Sequence, residues 1–444
     1  MAFIKVDSRG CGAGKTHTTI IPRMKYNNSL GLKTLLVVPS IKLQYEYAKV
    51  LGSELTIINS EGKGGIMTQY NSAADHSNMI CLTHQGFLSI PHTTYLKNNV
   101  DLIIDEALTP YDMQSITLVD QKNNRWASLA GVISWVDEFA QLLTAKPRTT
   151  PQPFFEVKFK NVDAPSIINN TIWQRLCNPN WLTYTTWETG NNLMNDTVQT
   201  AGLMSQLNPK LLSNWSSVWI AAAAFEKTFM SAWMHTNNLA FEVVKPFVAH
   251  QVRVDFHMPC ETFRWSKACR DSNPDIESSF SNYVYQHRQG RLIYNSNNDS
   301  KTAFMFADRI THNAHGINEY SDRTDYAFAT AIQLNATYTN FIKQFTGMSS
   351  DDISFALSGY MAYQLIMRTA LRDSANEKSV QVFVLDTQMI LGVLDLFDPH
   401  LYETHADIPV KDLRGQTRKD QRQSPLTATE RSRIHRQKKK LKGL

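Results

Sequence analysis

The sequence has 444 residues, and no apolar run in it approaches the ~20 needed to span a bilayer. Its longest apolar stretches, Val218–Phe225 and Met389–Leu394, have the length of core elements, so no membrane partner is expected. The N-terminus lacks a basic segment followed by an apolar stretch and a small-residue cleavage site, which argues against a signal peptide. Cysteine is scarce: Cys11, Cys81, Cys177, Cys260 and Cys269 are odd in number, widely spread and form no Cys-x-x-Cys. A disulfide framework and zinc or iron–sulfur spacing are thereby excluded, and reduced thiols in the cytoplasm are expected. No internal repeat of fixed period is present. Basic charge is also scarce outside one segment. Residues 411–444 hold twelve Lys/Arg against three Asp/Glu, a surplus of nine, while the whole chain carries only +5. The body is thus slightly acidic, and a diffuse cationic protein of the histone type is excluded.

The chain does have enough apolar residues, 42%, for packed cores, and a length that suits two or three domains at ~100–200 residues each. Short strands are expected at Phe3–Val6, Thr34–Val38, Leu55–Asn59, Met79–Thr83 and Val100–Glu106, alternating with helical patterns. The stretch after Thr16 reads as a helix broken by Pro22. Strands that are apolar throughout and alternate with helices predict a parallel sheet covered on both faces. Residues from about 110 to 215 break this rhythm with a proline cluster (Pro147, Pro151, Pro153) and many aromatics, and are expected to form a mostly helical insertion. Val218–Ala224 resumes the sheet. A second α/β rhythm follows, with strands expected near Val252–Phe256, Arg291–Asn295, Tyr326–Ile332 and Val380–Asp386, and a long helix over about Asp352–Arg372.

The strongest local signal is Gly12-Ala13-Gly14-Lys15-Thr16, between a strand and a helix. Such a turn lets backbone N–H groups converge on phosphate oxygens at a helix N-terminus. Lys15 would reach the β- and γ-phosphates, and the Thr16 hydroxyl would bind Mg2+. Arg9 stands where such loops usually carry Gly or Ala. Asp105-Glu106 ends an apolar strand about 90 residues on: Asp105 suits the magnesium site and Glu106 suits orienting or deprotonating the attacking water. No Asn-Lys-x-Asp is present to specify guanine, so ATP is the expected nucleotide.

With these pieces the chain resembles the two-domain helicases of superfamily 2 that carry a DEAD/DEAH-type box. The box reads Asp105-Glu106-Ala107-Leu108. Pro39-Ser40-x-x-Leu43-Gln44 is similar to the family's Pro-Thr-x-x-Leu-x-x-Gln segment, shortened by two residues, and Thr83-His84-Gln85 to another segment. The resemblance implies nucleic-acid backbone contacts for Pro39, Ser40, Gln44, Thr83 and His84. Ala222-Ala223-Ala224 stands where the family has its Ser-Ala-Thr coupling segment, without the hydroxyls. Ala314–Asn318 looks like the segment that senses nucleotide and strand, which implies nucleotide contacts for Gly316 and Asn318. Gln364-x-x-x-Arg368-x-x-x-Arg372 is similar to the arginine-finger motif, with its arginines four apart instead of three, so either Arg368 or Arg372 is the finger. His84, His312 and His315 are otherwise read as packing or hydrogen-bonding residues, not metal ligands.

The resulting expectation is an α/β protein of two RecA-like parallel-sheet domains: the first from 1–110 and 215–238, the insertion at 111–214, the second at 239–400, and a disordered basic tail at 401–444. The insertion's aromatics would form a small core of their own or stack on bases. The expected activity is an ATP- and Mg2+-dependent helicase or translocase acting on single-stranded or duplex nucleic acid, DNA before RNA. Replication or recombination proteins are the expected further partners, and the compact N-terminus suggests a viral or phage enzyme of the host cytoplasm. A viral DNA-packaging ATPase and a weakly active nucleic-acid clamp or scaffold are the alternatives.

Overall fold

A computed structural model describes residues 3–95, 99–117, 133–135, 154–159, 175–186, 200–259, 263–273, 275–300, 304, 306–311, 319–372 and 379–408. The strands in chain order begin with β1 (Phe3–Asp7), β2 (Lys33–Val38), β3 (Leu55–Ile58), β4 (Met79–Thr83) and β5 (Val100–Asp105). The insertion holds β6 (Tyr111–Thr117), β7 (Ile133–Trp135), β8 (Phe154–Phe159), β9 (Trp181–Thr186) and β10 (Thr200–Leu207). Then come β11 (Ser217–Ala221), β12 (Phe241–Lys245), β13 (Val254–Pro259), β14 (Leu292–Ser296), β15 (Asp308–Arg309), β16 (Asp325–Ala329), β17 (Val380–Val384) and β18 (Tyr402–Ile408). Among the described residues no helix is long and apolar enough to cross a membrane.

The first sheet runs β12-β1-β11-β5-β2-β4-β3, all parallel. Its central strands carry apolar residues on both faces because both faces are covered. Side chains alternate across a strand, so Leu35 and Val37 enter one core while Leu36 and Val38 enter the other. The second sheet, β15-β14-β16-β17-β13-β18, is also parallel and is built the same way. Ile293, Phe328 and Val382 pack on one face; Leu292, Ala327 and Phe383 pack on the other.

Several expectations are corrected. The described part of the insertion, expected to be mostly helical, is an antiparallel sheet, β6-β10-β9-β8-β7. Thr, Tyr, Trp and Phe favour strands, and the long connections between these strands hide their alternation. Its described aromatics join a larger core. Phe154, Tyr184 and Tyr111 surround Phe341 of the helix Ala336–Thr346, with ring centroids 5.2, 5.6 and 6.2 Å away. Trp126, Trp173 and Trp187 lie outside the described residues, as do the side chains of Trp135 and Phe155. The first sheet extends past residue 238, because β12 pairs with β1. Residues 402–408, placed in the disordered tail by their charge, form β18 against β13. Backbone pairing at a sheet edge needs little apolar side chain, which is why composition concealed it. The rest of the basic tail, from 409, lies outside the described residues.

Two helices depart from α geometry where it matters. Pro22 does not break the first helix. A π turn over Thr16–Ile20 runs straight into the helix Ile21–Ser29, with Pro22 in its first turn, where a missing N–H costs least. The expected long helix up to Arg372 is shorter. Ser350–Ser354, a π turn Phe355–Gly359 and Tyr360–Ile366 form one run that stops at Ile366. Arg368 and Arg372 lie beyond it, Arg372 closing a 3-10 turn over Ala370–Arg372.

Candidate nucleotide site between the two sheets

β1 delivers the chain to Asp7, and the glycine-rich loop follows. Gly12 and Gly14 have φ of +81° and +70°, backbone that glycine adopts without steric cost. Arg9, the unexpected residue, braces the loop. Its guanidinium donates to both carboxylate oxygens of Asp7, at 2.9 and 2.7 Å, and to the Ala13 carbonyl at 3.3 Å. Burial pushes the Asp7 carboxyl up, but the bonds from Arg9 and Thr19 outweigh it and hold it below its ordinary range. The Lys15 ammonium donates to the carbonyls of Arg9 (2.8 Å) and Gly10 (3.1 Å). The lysine is thus folded into its own loop.

β5 delivers Asp105 and Glu106. Asp105 is buried, 6% exposed. Burial first, then the charge of Glu106, push its carboxyl up to about 7, against the opposing bond from Tyr47. The Tyr47 hydroxyl donates to Asp105 Oδ2 at 2.8 Å, and Tyr47 lines the cavity beside Thr16. One tyrosine therefore adjoins both residues expected to hold Mg2+, and oxygen donors of this kind suit that ion. Glu106 sits at φ +69°, a strained conformation for a non-glycine residue. Its carboxylate accepts from Gln364 Nε2 at 3.0 Å and from the Tyr360 hydroxyl at 3.3 Å.

A cavity of about 380 Å³ opens between the two sheets, lined by Gly12, Ala13, Gly14, Lys15, Thr16, Asp105 and Glu106 on one side and by Arg368 and Arg372 on the other. Both candidate fingers thus face the loop. Burial, then the neighbouring Arg368, lower the Arg372 pKa from its ordinary value. The second sheet's layer also reaches the loop directly. The Cys11 N–H donates to the Tyr363 hydroxyl at 2.9 Å, and His250 Nε2 lies 2.7 Å from the same oxygen. Burial and Lys15 push His250 down to about 4, so at neutral pH its ring nitrogen can accept the Tyr363 proton. A Cβ on Gly10 would stand 2.6 Å from the His250 ring.

The residues expected to touch nucleic acid are placed differently. Gln44 is corrected: it is fully buried, its amide donating to the carbonyls of Ile58 and Cys81 and accepting from Asn59. It braces β3 and β4 from beneath and cannot reach a strand. Pro39 lines the cavity. His84 Nε2 lies 2.9 Å from the Asp105 carbonyl, coupling its helix to the carboxylate strand. Ser40 and Thr83 cap helices, accepting from Leu43 N–H and Gly86 N–H. Gly316 and Asn318 lie outside the described residues, as do His312 and His315. Ala222, in the segment likened to Ser-Ala-Thr, packs in the first core, whereas Ala223 and Ala224 pack in the second sheet's core, so this segment joins the two cores by apolar contact.

Sequence reasoning missed Tyr47, Tyr360, Tyr363 and His250. Tyr47 sits between Leu43 and Leu51 at helical spacing and reads as core. The usable signal was its hydroxyl, since a buried tyrosine O–H needs a partner.

No family model matches the chain, and no curated protein matches it in sequence. Among solved structures it is similar to S. tokodaii Xpd4, with a TM-score of 0.50 and 12% identity over 91% of this chain and 96% of that one. An XPD helicase aligns over 91% of this chain and 96% of its own, at 10% identity and a TM-score of 0.47. S. cerevisiae Dbp5 bound to RNA and ADP–BeF3 aligns over 93% and 86%, at 9% identity and a TM-score of 0.39. The likeness is one of fold: two RecA-like parallel-sheet units in one chain.

Proposed function

We propose that the protein is an ATP-driven helicase or translocase acting on nucleic acid, DNA before RNA. The observation that carries this reading is the cavity in which Lys15, Thr16, Asp105 and Glu106 of one sheet layer meet Gln364, Arg368 and Arg372 of the other. Thr16 and Asp105 would hold Mg2+, which neutralises phosphate charge when bound. Lys15 exchanges its loop carbonyls for phosphate oxygens. Glu106 takes the proton of the attacking water as its oxygen bonds to the γ-phosphorus and the bond to ADP breaks. Arg368 or Arg372 stabilises charge on the transferring group only while the two layers are apposed, which ties hydrolysis to their relative motion. The basic stretch 411–444 adds salt-sensitive affinity for phosphates.

The test is ATP hydrolysis with and without single-stranded DNA or RNA, for the wild type and Lys15→Ala. Stimulated turnover that Lys15→Ala abolishes is expected. Turnover indifferent to every nucleic acid would sink the translocase reading, and nuclease activity with Mn2+ would favour a packaging motor.

A further inference from the structure

We infer that a divalent transition-metal ion binds the second sheet at the seam of β13 and β18, held by Asp255, Glu403 and His405. One ligand atom from each lies within 4.8 Å of the other two. The strand register explains the convergence. Asp255 stands opposite Glu403, and His257 opposite His405. The two-residue repeat of a strand then puts Asp255, His257, Glu403 and His405 on one face, and Asp407, past a register shift in β18, reaches the same histidine.

Two carboxylates directly opposite each other on paired strands repel. Among the described residues neither Asp255 nor Glu403 has a Lys or Arg partner, and the His405 ring lies 3.9 Å from Glu403. A cation between them removes the repulsion. The outer partners are already in place. Asp255 Oδ2 accepts from Ser379 Oγ at 2.7 Å and from Gln381 Nε2. The same Gln381 accepts from His257 Nε2 at 2.8 Å, and His257 Nδ1 pairs with Asp407 at 3.0 Å. The His405 ring stacks on His257 with centroids 4.7 Å apart. Such second contacts orient ligands and fix their donor atoms.

One imidazole nitrogen with two carboxylate oxygens selects Zn2+, Co2+ or Mn2+ over Mg2+, which prefers oxygen alone. None of the three residues lines the nucleotide cavity. The ion would fasten the edge strand β18, and with it the start of the basic segment, to β13.

The test titrates the EDTA-treated full chain with Co2+, without nucleotide, following visible absorption, with Zn2+ as competitor. Wild type is compared with Glu403→Gln and His405→Asn. One Co2+ displaced by Zn2+ is expected, with affinity falling about 10-fold or more in each variant, while far-UV circular dichroism and Mg2+-dependent ATPase stay unchanged. Glu403 is largely exposed, so Glu403→Gln carries the test if His405→Asn does not fold. Equal Co2+ affinity in wild type and Glu403→Gln would overturn the site. Absence of any Co2+ absorption band in the wild type at millimolar metal would do the same.

Discussion

Asp105→Asn should stabilise the protein while abolishing hydrolysis, and the gain should depend on pH. The carboxyl titrates near 7 in the folded chain against an ordinary value of 3.8. A raised acid pKa means the folded state holds its proton longer than the unfolded state, so stability falls as pH rises between the two values. The interval of about three units at ~1.4 kcal/mol each makes the full penalty about 4 kcal/mol, complete above pH 7 and absent below pH 4. About 3 kcal/mol of it develops between pH 5 and pH 8. Asparagine carries no charge, keeps the size of the side chain, and its amide oxygen can still accept from Tyr47. In EDTA, the unfolding midpoint of Asp105→Asn should therefore exceed that of the wild type by more at pH 8 than at pH 5. At roughly 3 °C per kcal/mol the extra gap is on the order of 10 °C. Mg2+ should raise the wild type alone. Curves that run parallel from pH 5 to pH 8 would refute the claim that a buried, proton-holding carboxyl awaits the metal.

Tyr47→Phe removes the bond that pulls the Asp105 pKa down, worth about 1.5–3 kcal/mol for a charged acceptor. The Mg2+ needed for half-maximal ATPase should rise on the order of 10-fold at pH 7 and less at pH 9, where protons no longer compete; an equal rise at both pH values counts against this. Gly10→Ala drives a methyl into the His250 ring and should cost about 1–3 kcal/mol of stability. In a His250→Ala background the cost should nearly vanish, and an undiminished cost there places the strain elsewhere. Deleting residues 411–444 should weaken nucleic-acid binding and flatten its salt dependence by ~0.7–0.9 in slope for each phosphate no longer neutralised, with basal ATPase intact. An unchanged slope would deny the segment its role.

The loop at Gly12–Thr16, the Asp105-Glu106 pair and the central strands were legible because each signal is local: a glycine run, two carboxylates, five consecutive apolar residues. Chemistry hidden in apolar periodicity was not legible. Tyr47 occupies a core position and differs from phenylalanine by one oxygen. Gln44 misled for the opposite reason: its polar head suggested a ligand contact, yet its amide satisfies backbone carbonyls at the end of β3 and in the middle of β4. The edges β12 and β18 escaped notice because an edge strand is specified by the backbone groups of its neighbour more than by its own side chains. The insertion's sheet buries Phe154 and Tyr184 against Phe341, 187 and 157 residues away in sequence, and no local pattern carries that information.

The polar groups of the site pair with one another. Lys15 holds loop carbonyls, the Cys11 N–H holds Tyr363, and Glu106 holds Gln364 and Tyr360. Two of these three arrangements depend on one short helix, Tyr360–Ile366. Phosphate that claims the Cys11 amide, or a water that claims Glu106, must release that helix. Amide hydrogen exchange across residues 360–366 should therefore change when a non-hydrolysable ATP analogue binds, and unchanged exchange would uncouple the helix from the loop. The two arginines begin two residues after its end, so whatever frees Tyr363 and Gln364 also resets Arg368 and Arg372 relative to Lys15. On the proposed function, nucleotide binding and arginine placement would be one mechanical event, because the contacts that must break and the cations that must arrive share a single element.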